Sequence, residues 1–320
     1  MQTRARRHSP LMGRWMLIAF GLLVAGWAYA QTPVWVTPAV NAPNVTRQLF
    51  FSAAVGAQVS YHVYLPDEYA QNTTARYPVL YYLHGSGSVL PGIAPMSAQF
   101  DLAIEQGHLP PLIVVFPNGQ PYGMWCDAHN GSQPVESMVI HDLIPEVDTR
   151  FRTDAHWRAR LVDGFSMGGY GASRFGLKHQ DKFAAFSMLG AGPLQLDFLA
   201  NDPGLAPLAL RERILLEVYG NSLAIFEAQS PWRLAQAQQA VLRRGYPIRQ
   251  IIGSADSTLP ANQAFHQHLL ALPVIHQYVE APGVGHDVLG LIEALGPAFF
   301  HFHRDALRSA DVFMASGFES

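Results

Sequence analysis

The stretches "YPVLYYLHG", "PLIVVFPNG", "RARLVDGFS", "FAAFSMLGAG" and "IRQIIGSAD" are mostly apolar and do not keep a polar residue at every second place along their length. A strand with one wet face alternates, whereas a strand buried on both faces does not. Between these runs lie segments with apolar residues at helical spacing: "MSAQFDLAIEQG", "ESMVIHDLIPEVDTRF", "MGGYGASRFGLKHQ", "SPWRLAQAQQAVLRRG" and "ANQAFHQHLLAL". Buried strands separated by helices imply an α/β fold, a mostly parallel central sheet with helices on both faces. Two alternating stretches, "RQLFFSAAV" and "QVSYHVYLP", come first and predict an antiparallel edge pair. In such sheets ligands bind beyond the carboxyl ends of the strands. The residues just after each run are therefore where chemistry is expected.

Residues 1–30 stand apart. Arg4, Arg6, Arg7 and Arg14 precede or flank the apolar run "WMLIAFGLLVAGWAYA", which closes on the small-x-small pattern Ala28-Tyr29-Ala30. This composition predicts a secretory signal cut after Ala30. An uncleaved anchor is the alternative, against which the run is short for a span of about 20 residues. The expected mature chain, residues 31–320, is exported to the periplasm or the medium and has no stable membrane association. The whole chain carries 21 Lys and Arg against 24 Asp and Glu; without the signal's four arginines this becomes 17 against 24, a net −7. A mildly acidic chain lacks the basic footprint of a nucleic-acid or anionic-lipid binder. Cys126 is the only cysteine, which excludes an intrachain disulfide and a cysteine-based metal site. No repeat or linker divides residues 31–320, which read as one domain with ample length for a large core.

The runs end in His84-Gly85-Ser86-Gly87, Pro117-Asn118-Gly119, Gly164-Phe165-Ser166-Met167-Gly168 and Gly253-Ser254-Ala255-Asp256, and the later strand "HQYVEA" leads to Gly285-His286-Asp287. A serine, a carboxylate and a histidine thus reach one sheet edge in the order Ser, Asp, His, the chain order of α/β-hydrolases. In G-x-S-x-G a nucleophilic serine sits on a strained strand-to-helix turn, and bulk two residues before or after it would keep strand and helix apart. Ser166 is the candidate nucleophile; a plain turn serine is the alternative. Serine needs an adjacent base. Of fourteen histidines, His286 is the last at a strand end and takes that role. His84 precedes the elbow and is better placed to shape a loop. His301 with His303, and His266 with His268, lie two apart, on different helix faces, and read as surface or partly packed residues, not metal pairs. Asp256 is the candidate orienting acid, with a helix cap as its alternative role. Asp287 adjoins His286 too closely, and Asp202 sits in a loop. The oxyanion of a tetrahedral intermediate would take the N–H of Met167 and one from "HGSGS", with Ser86 preferred over Gly87. No ligand cluster calls for a metal or an organic cofactor.

With these residues in view, the chain resembles the esterase D-like family of α/β-hydrolases, which includes feruloyl and acetyl-xylan esterases, S-formylglutathione hydrolases and mycolyltransferases. "YYLHGSG" is similar to that family's oxyanion strand, "PVESMVIHDLIPEVDTRFR" to the helix before the nucleophile strand, and "GFSMGGYGA" to its elbow. One departure is Val288 after Gly285-His286-Asp287, where many members carry an aromatic. The resemblance implies an exported serine carboxylesterase acting on small or aromatic acid esters, carbohydrate-linked ones included. S-formylglutathione hydrolases are cytosolic and fit the signal less well. In "NGQPYGMWCDAHNGSQPVE", Trp125 is a candidate platform for an aromatic acid or sugar, with loop packing as the equal alternative. Cys126 reads as a small buried residue. Acyl transfer to an alcohol, a non-catalytic binding protein and a peptidase are the rival functions.

Overall fold

A computed structural model describes residues 32–87, 89–202 and 204–315. The expected signal, residues 1–30, lies outside them. β1 (Val45–Ser52) and β2 (Ala57–Tyr64) form the antiparallel edge pair, in register from Val45 opposite Tyr64 to Ser52 opposite Ala57. β2 continues antiparallel onto β4 (Ile113–Phe116). Four apolar runs supply β3 (Val79–Leu83), β5 (Arg160–Phe165), β6 (Ala185–Leu189) and β7 (Ile248–Gly253), the later stretch "HQYVEA" supplies β8 (Gln277–Ala281), and all pair in parallel. The sheet order is β1-β2-β4-β3-β5-β6-β7-β8. β3 therefore sits between β4 and β5, the strand leading to Ser166 is central, and β7 and β8, which lead to Asp256 and His286, close the far side of the sheet.

The crossovers are helical. α1 (Glu68–Gln71) is a single turn before β3, and α2 (Ile93–Glu105) links β3 to β4. α3 (Val135–Ser137), a π-helical turn over Met138–Leu143 and α4 (Ile144–Arg150) run on without a break into the approach to β5. The sequence predicted one helix there; the wider turn lies just before Pro145, which has no N–H to give the α-helical ladder. α5 (Met167–Lys178) follows β5 directly. α6 (Leu208–Tyr219), α7 (Leu223–Ala228) and α8 (Pro231–Leu242) lie between β6 and β7, α9 (Leu259–Ala271) between β7 and β8, and α10 (Val288–Leu295) and α11 (Ala298–Ala315) close the chain.

Period-two alternation splits the core into two layers. Val79, Tyr81, Leu83, Val115 and Val162 face one side with Phe175 and Phe186. Leu80, Tyr82, Val114, Leu161 and Ile251 face the other with Phe100 and Phe300. Apolar burial on both faces is what the unbroken hydrophobic runs require. The described residues from Pro33 onward form one compact unit. Among the described residues, no helix is long and apolar enough to cross a membrane.

Candidate active site

Ser166 stands at the turn between β5 and α5 with φ 58° and ψ −120°, a conformation L-residues rarely hold. Neighbouring backbone fixes it. Its N–H donates to the Leu189 carbonyl (2.9 Å), and its own carbonyl accepts from Tyr170 and Gly192 (both 3.1 Å). A Cβ on Gly164 would overlap the Gly168 carbonyl, and one on Gly168 would overlap the Leu83 carbonyl. The G-x-S-x-G spacing is thus a steric necessity of bringing α5 against β5 and β3.

The Ser166 hydroxyl lies 2.9 Å from His286 Nε2, and His286 Nδ1 lies 2.8 Å from Asp256 Oδ2. A buried carboxylate at Nδ1 places the imidazole proton there and leaves Nε2 to accept from the serine. Asp256 is 4 % exposed. Its Oδ1 accepts from the Thr258 N–H (2.8 Å) and the Thr258 hydroxyl (2.9 Å). One oxygen thus holds the turn ahead of α9, whose N-cap is Thr258, and the other meets His286. Burial alone would push the Asp256 carboxyl up, but the hydrogen bonds from His286 and Thr258 outweigh it and hold it below the ordinary value. Asp287 turns away and accepts from the Leu289 N–H (3.0 Å) at the start of α10. The Phe165 ring packs on the His286 ring, centroids 4.6 Å apart, a support that nothing in the local sequence signals.

Two cavities meet at this point, both lined by Ser86, Ser166 and His286. One, of about 330 Å³, has apolar walls from Tyr82, Ile93, Phe116, Phe165 and Val288. Val288 thus occupies a cavity wall where the sequence resemblance leads one to expect an aromatic. The other, of about 280 Å³, lies beneath α6 and touches Met167, Phe198, Leu210 and Arg211. A further cavity of about 600 Å³ lies where β3 to β5 begin, and none of the candidate residues lines it. The Gly87 N–H donates to the Pro121 carbonyl (2.8 Å), and Ser86 lines both cavities.

Trp125 is a correction to the sequence reading. It is 0 % exposed and packs flat against Gly119 and Gly171, with its indole N–H donating to the His84 carbonyl (3.2 Å). Met124 and Trp125 both have positive φ, 51° and 52°, and this double turn sends the indole inward while Met124 lines the cavity. Trp125 is therefore a loop anchor, not a substrate platform. His84 shapes the same loop: its Nδ1–H donates to the Gly85 carbonyl (2.7 Å), and its Nε2 accepts from the Gly119 N–H (3.1 Å). Burial pushes its pKa down to about 4, so the ring is neutral at pH 7. Cys126 is buried, and burial pushes its thiol up to about 11.

His303 is the second correction. It is fully buried, with Nε2 2.7 Å from Asp163 Oδ2, and Arg249 stands 3.7 Å from the same oxygen. Asp163 lies on β5, three residues before Ser166, so this buried pair underpins the nucleophile strand. Among the described residues, no group of three or more His, Cys, Asp and Glu side chains is placed to hold a metal ion.

Residues 52–285 match the model of the esterase family, whose description reads "Putative esterase". The chain belongs to this esterase family. An esterase of Mycobacterium tuberculosis is 34 % identical over 170 residues, 49 % of this chain and 35 % of that protein. The endo-1,4-beta-xylanase/feruloyl esterase of Xylanibacter ruminicola is 31 % identical over 165 residues, 48 % of this chain and 22 % of that protein. The matches thus span about a third or less of the length of these relatives. A ferulic acid esterase structure superposes with a TM-score of 0.68 at 22 % identity, covering 82 % of this chain and 98 % of that chain. An S-formylglutathione hydrolase from Staphylococcus aureus superposes with a TM-score of 0.62 at 20 % identity, covering 84 % and 97 %. The chain therefore has the α/β-hydrolase fold that the strand and helix pattern implied.

Proposed function

We propose that this esterase is an exported serine carboxylesterase in which Ser166 is the nucleophile, His286 the general base and Asp256 the group that orients it. The observation that carries this reading is the unbroken hydrogen-bonded line from Asp256 through His286 to Ser166, at the junction of two cavities. Ser166 Oγ attacks the ester carbonyl carbon while His286 Nε2 takes its proton. The N–H groups of Met167 and Ser86 hold the oxyanion, each such donor being worth about 10²- to 10³-fold in rate. Collapse breaks the bond to the alcohol, which leaves with the proton from His286. Water then repeats the sequence on the acyl-enzyme and releases the acid.

The substrates are esters of small or aromatic acids, carbohydrate-linked feruloyl or acetyl esters among them. Small cavities on both sides of Ser166 and the names of the relatives support this choice. Residues 31–320 act as one domain after a signal is removed behind Ala30. Purified enzyme is expected to hydrolyse 4-nitrophenyl butyrate and methyl ferulate faster than 4-nitrophenyl palmitate at equal concentration. A higher rate on palmitate, rising further above its solubility limit, would instead mark a lipase.

A further inference from the structure

Among the described residues four arginines are almost fully buried: Arg160, Arg174, Arg211 and Arg249. Three of them have a carboxylate. Arg160 meets Asp148 at 2.6 Å, Arg174 meets Glu136 at 2.7 Å, and Arg249 stands 3.7 Å from Asp163. Arg211, 4 % exposed, has only carbonyls: Nε donates to Ala206 (2.7 Å) and Nη1 to Phe198 (2.6 Å). Among the described residues no carboxylate pairs with it. Burying a guanidinium without a counter-charge is costly, and neutral carbonyls offset only part of that.

Arg211 also differs from the other three in where it lies. It lines the 280 Å³ cavity together with Ser166, Met167 and His286, and no Asp or Glu is among the described residues on that wall. Arg211 is in the first turns of α6, and Leu205, Ala206 and Leu210 around that helix start line the same cavity. The positive end of the helix dipole therefore adds to the guanidinium there. The Nη2 edge has no partner among the described residues, and a planar fork of this kind suits a carboxylate.

We propose that Arg211 reads an anionic group, a carboxylate carried by the ester, in the cavity beneath α6. The inference rests on the assignment of Ser166 as nucleophile and adds a substrate class to it: esters with a second, ionised acid group. That group sits on the acyl side, as in the half-ester of a dicarboxylic acid, or on the alcohol side, as in an ester of a hydroxy acid or uronic acid.

Two pairs of esters distinguish these sources at pH 7. On the acyl side, mono-4-nitrophenyl succinate is compared with 4-nitrophenyl butyrate; on the alcohol side, 4-acetoxybenzoate is compared with phenyl acetate. In one pair the charged ester is expected to win in kcat/KM by about tenfold or more, the gain of a hydrogen bond to a charged group. Arg211→Met should bring that ratio toward one, and Arg211→Lys should keep part of it. If Arg211 only ties the 198–206 loop to α6, its loss would move charged and neutral esters together and leave the ratio intact. Wild-type enzyme that handles both neutral esters as well as their charged partners overturns the inference, with no variant needed. Failure on all four esters would instead overturn the esterase mechanism itself.

Discussion

Replacing Asp256 by Asn keeps the shape of the side chain and changes what His286 can do. Asp256 Oδ1 already accepts from the Thr258 backbone N–H at 2.8 Å, a donor that cannot rotate away. In the asparagine variant that position must remain oxygen, so the NH₂ group faces His286 Nδ1. The imidazole must then accept at Nδ1 and carry its proton on Nε2. Nε2 lies 2.9 Å from the Ser166 hydroxyl, and in this tautomer it donates toward the nucleophile and can no longer take its proton. The expected loss in kcat/KM is about 10⁴-fold, or about 5.5 kcal/mol of barrier. That is less than the loss for Ser166→Ala or His286→Ala, which delete the reacting groups. Steady-state hydrolysis of 4-nitrophenyl butyrate measures it, with circular dichroism and a thermal melt to show that the fold survives. A folded Asp256→Asn variant within tenfold of wild type would refute the assignment of this carboxylate.

Trp125→Ala should destabilise the fold by about 3–5 kcal/mol in a denaturant melt, because it empties a fully enclosed site. It should leave the ratio of feruloyl to acetyl turnover unchanged; a selective loss of feruloyl activity would return the indole to the substrate. Glu136 is buried, which alone would raise its pKa, but His179, Arg174 and Lys178 bring it down to about 2 from an ordinary 4.5. A depressed folded pKa gives stability that is present above the unfolded value and lost as pH falls from about 4.5 toward 2. Glu136→Gln should therefore lower Tm clearly at pH 7, and the gap to wild type should narrow in melts at pH 3. A gap that does not depend on pH would contradict the pairing.

The elbow was legible because its rule is steric: only glycine fits at Gly164 and Gly168, so the spacing is written into the chain. Asp256 and His286 could be found because parallel strands deliver their following residues to one edge. What stayed hidden depends on distant partners. His303 lies 140 positions from Asp163, and its helical spacing with His301 gave no sign that one face would be buried under the sheet. Trp125 turns inward because Met124 and Trp125 adopt left-handed backbone and because Gly119 and Gly171 leave a slot for the ring. No local pattern announces either. In "LALRERILLEVY" Arg211 is one of several charges among apolar residues, and only its burial and its lack of a carboxylate set it apart from Arg213, which pairs with Glu217 at 2.9 Å.

The identity of the nucleophile is the claim on which the mechanism stands. Incubation with an organophosphonate, followed by intact mass and peptide mapping, tests it in one step. Stoichiometric labelling on Ser166, together with loss of ester hydrolysis and no labelling of folded Ser166→Ala, is the expected result. Label on another residue, or wild-type turnover by Ser166→Ala, would contradict it.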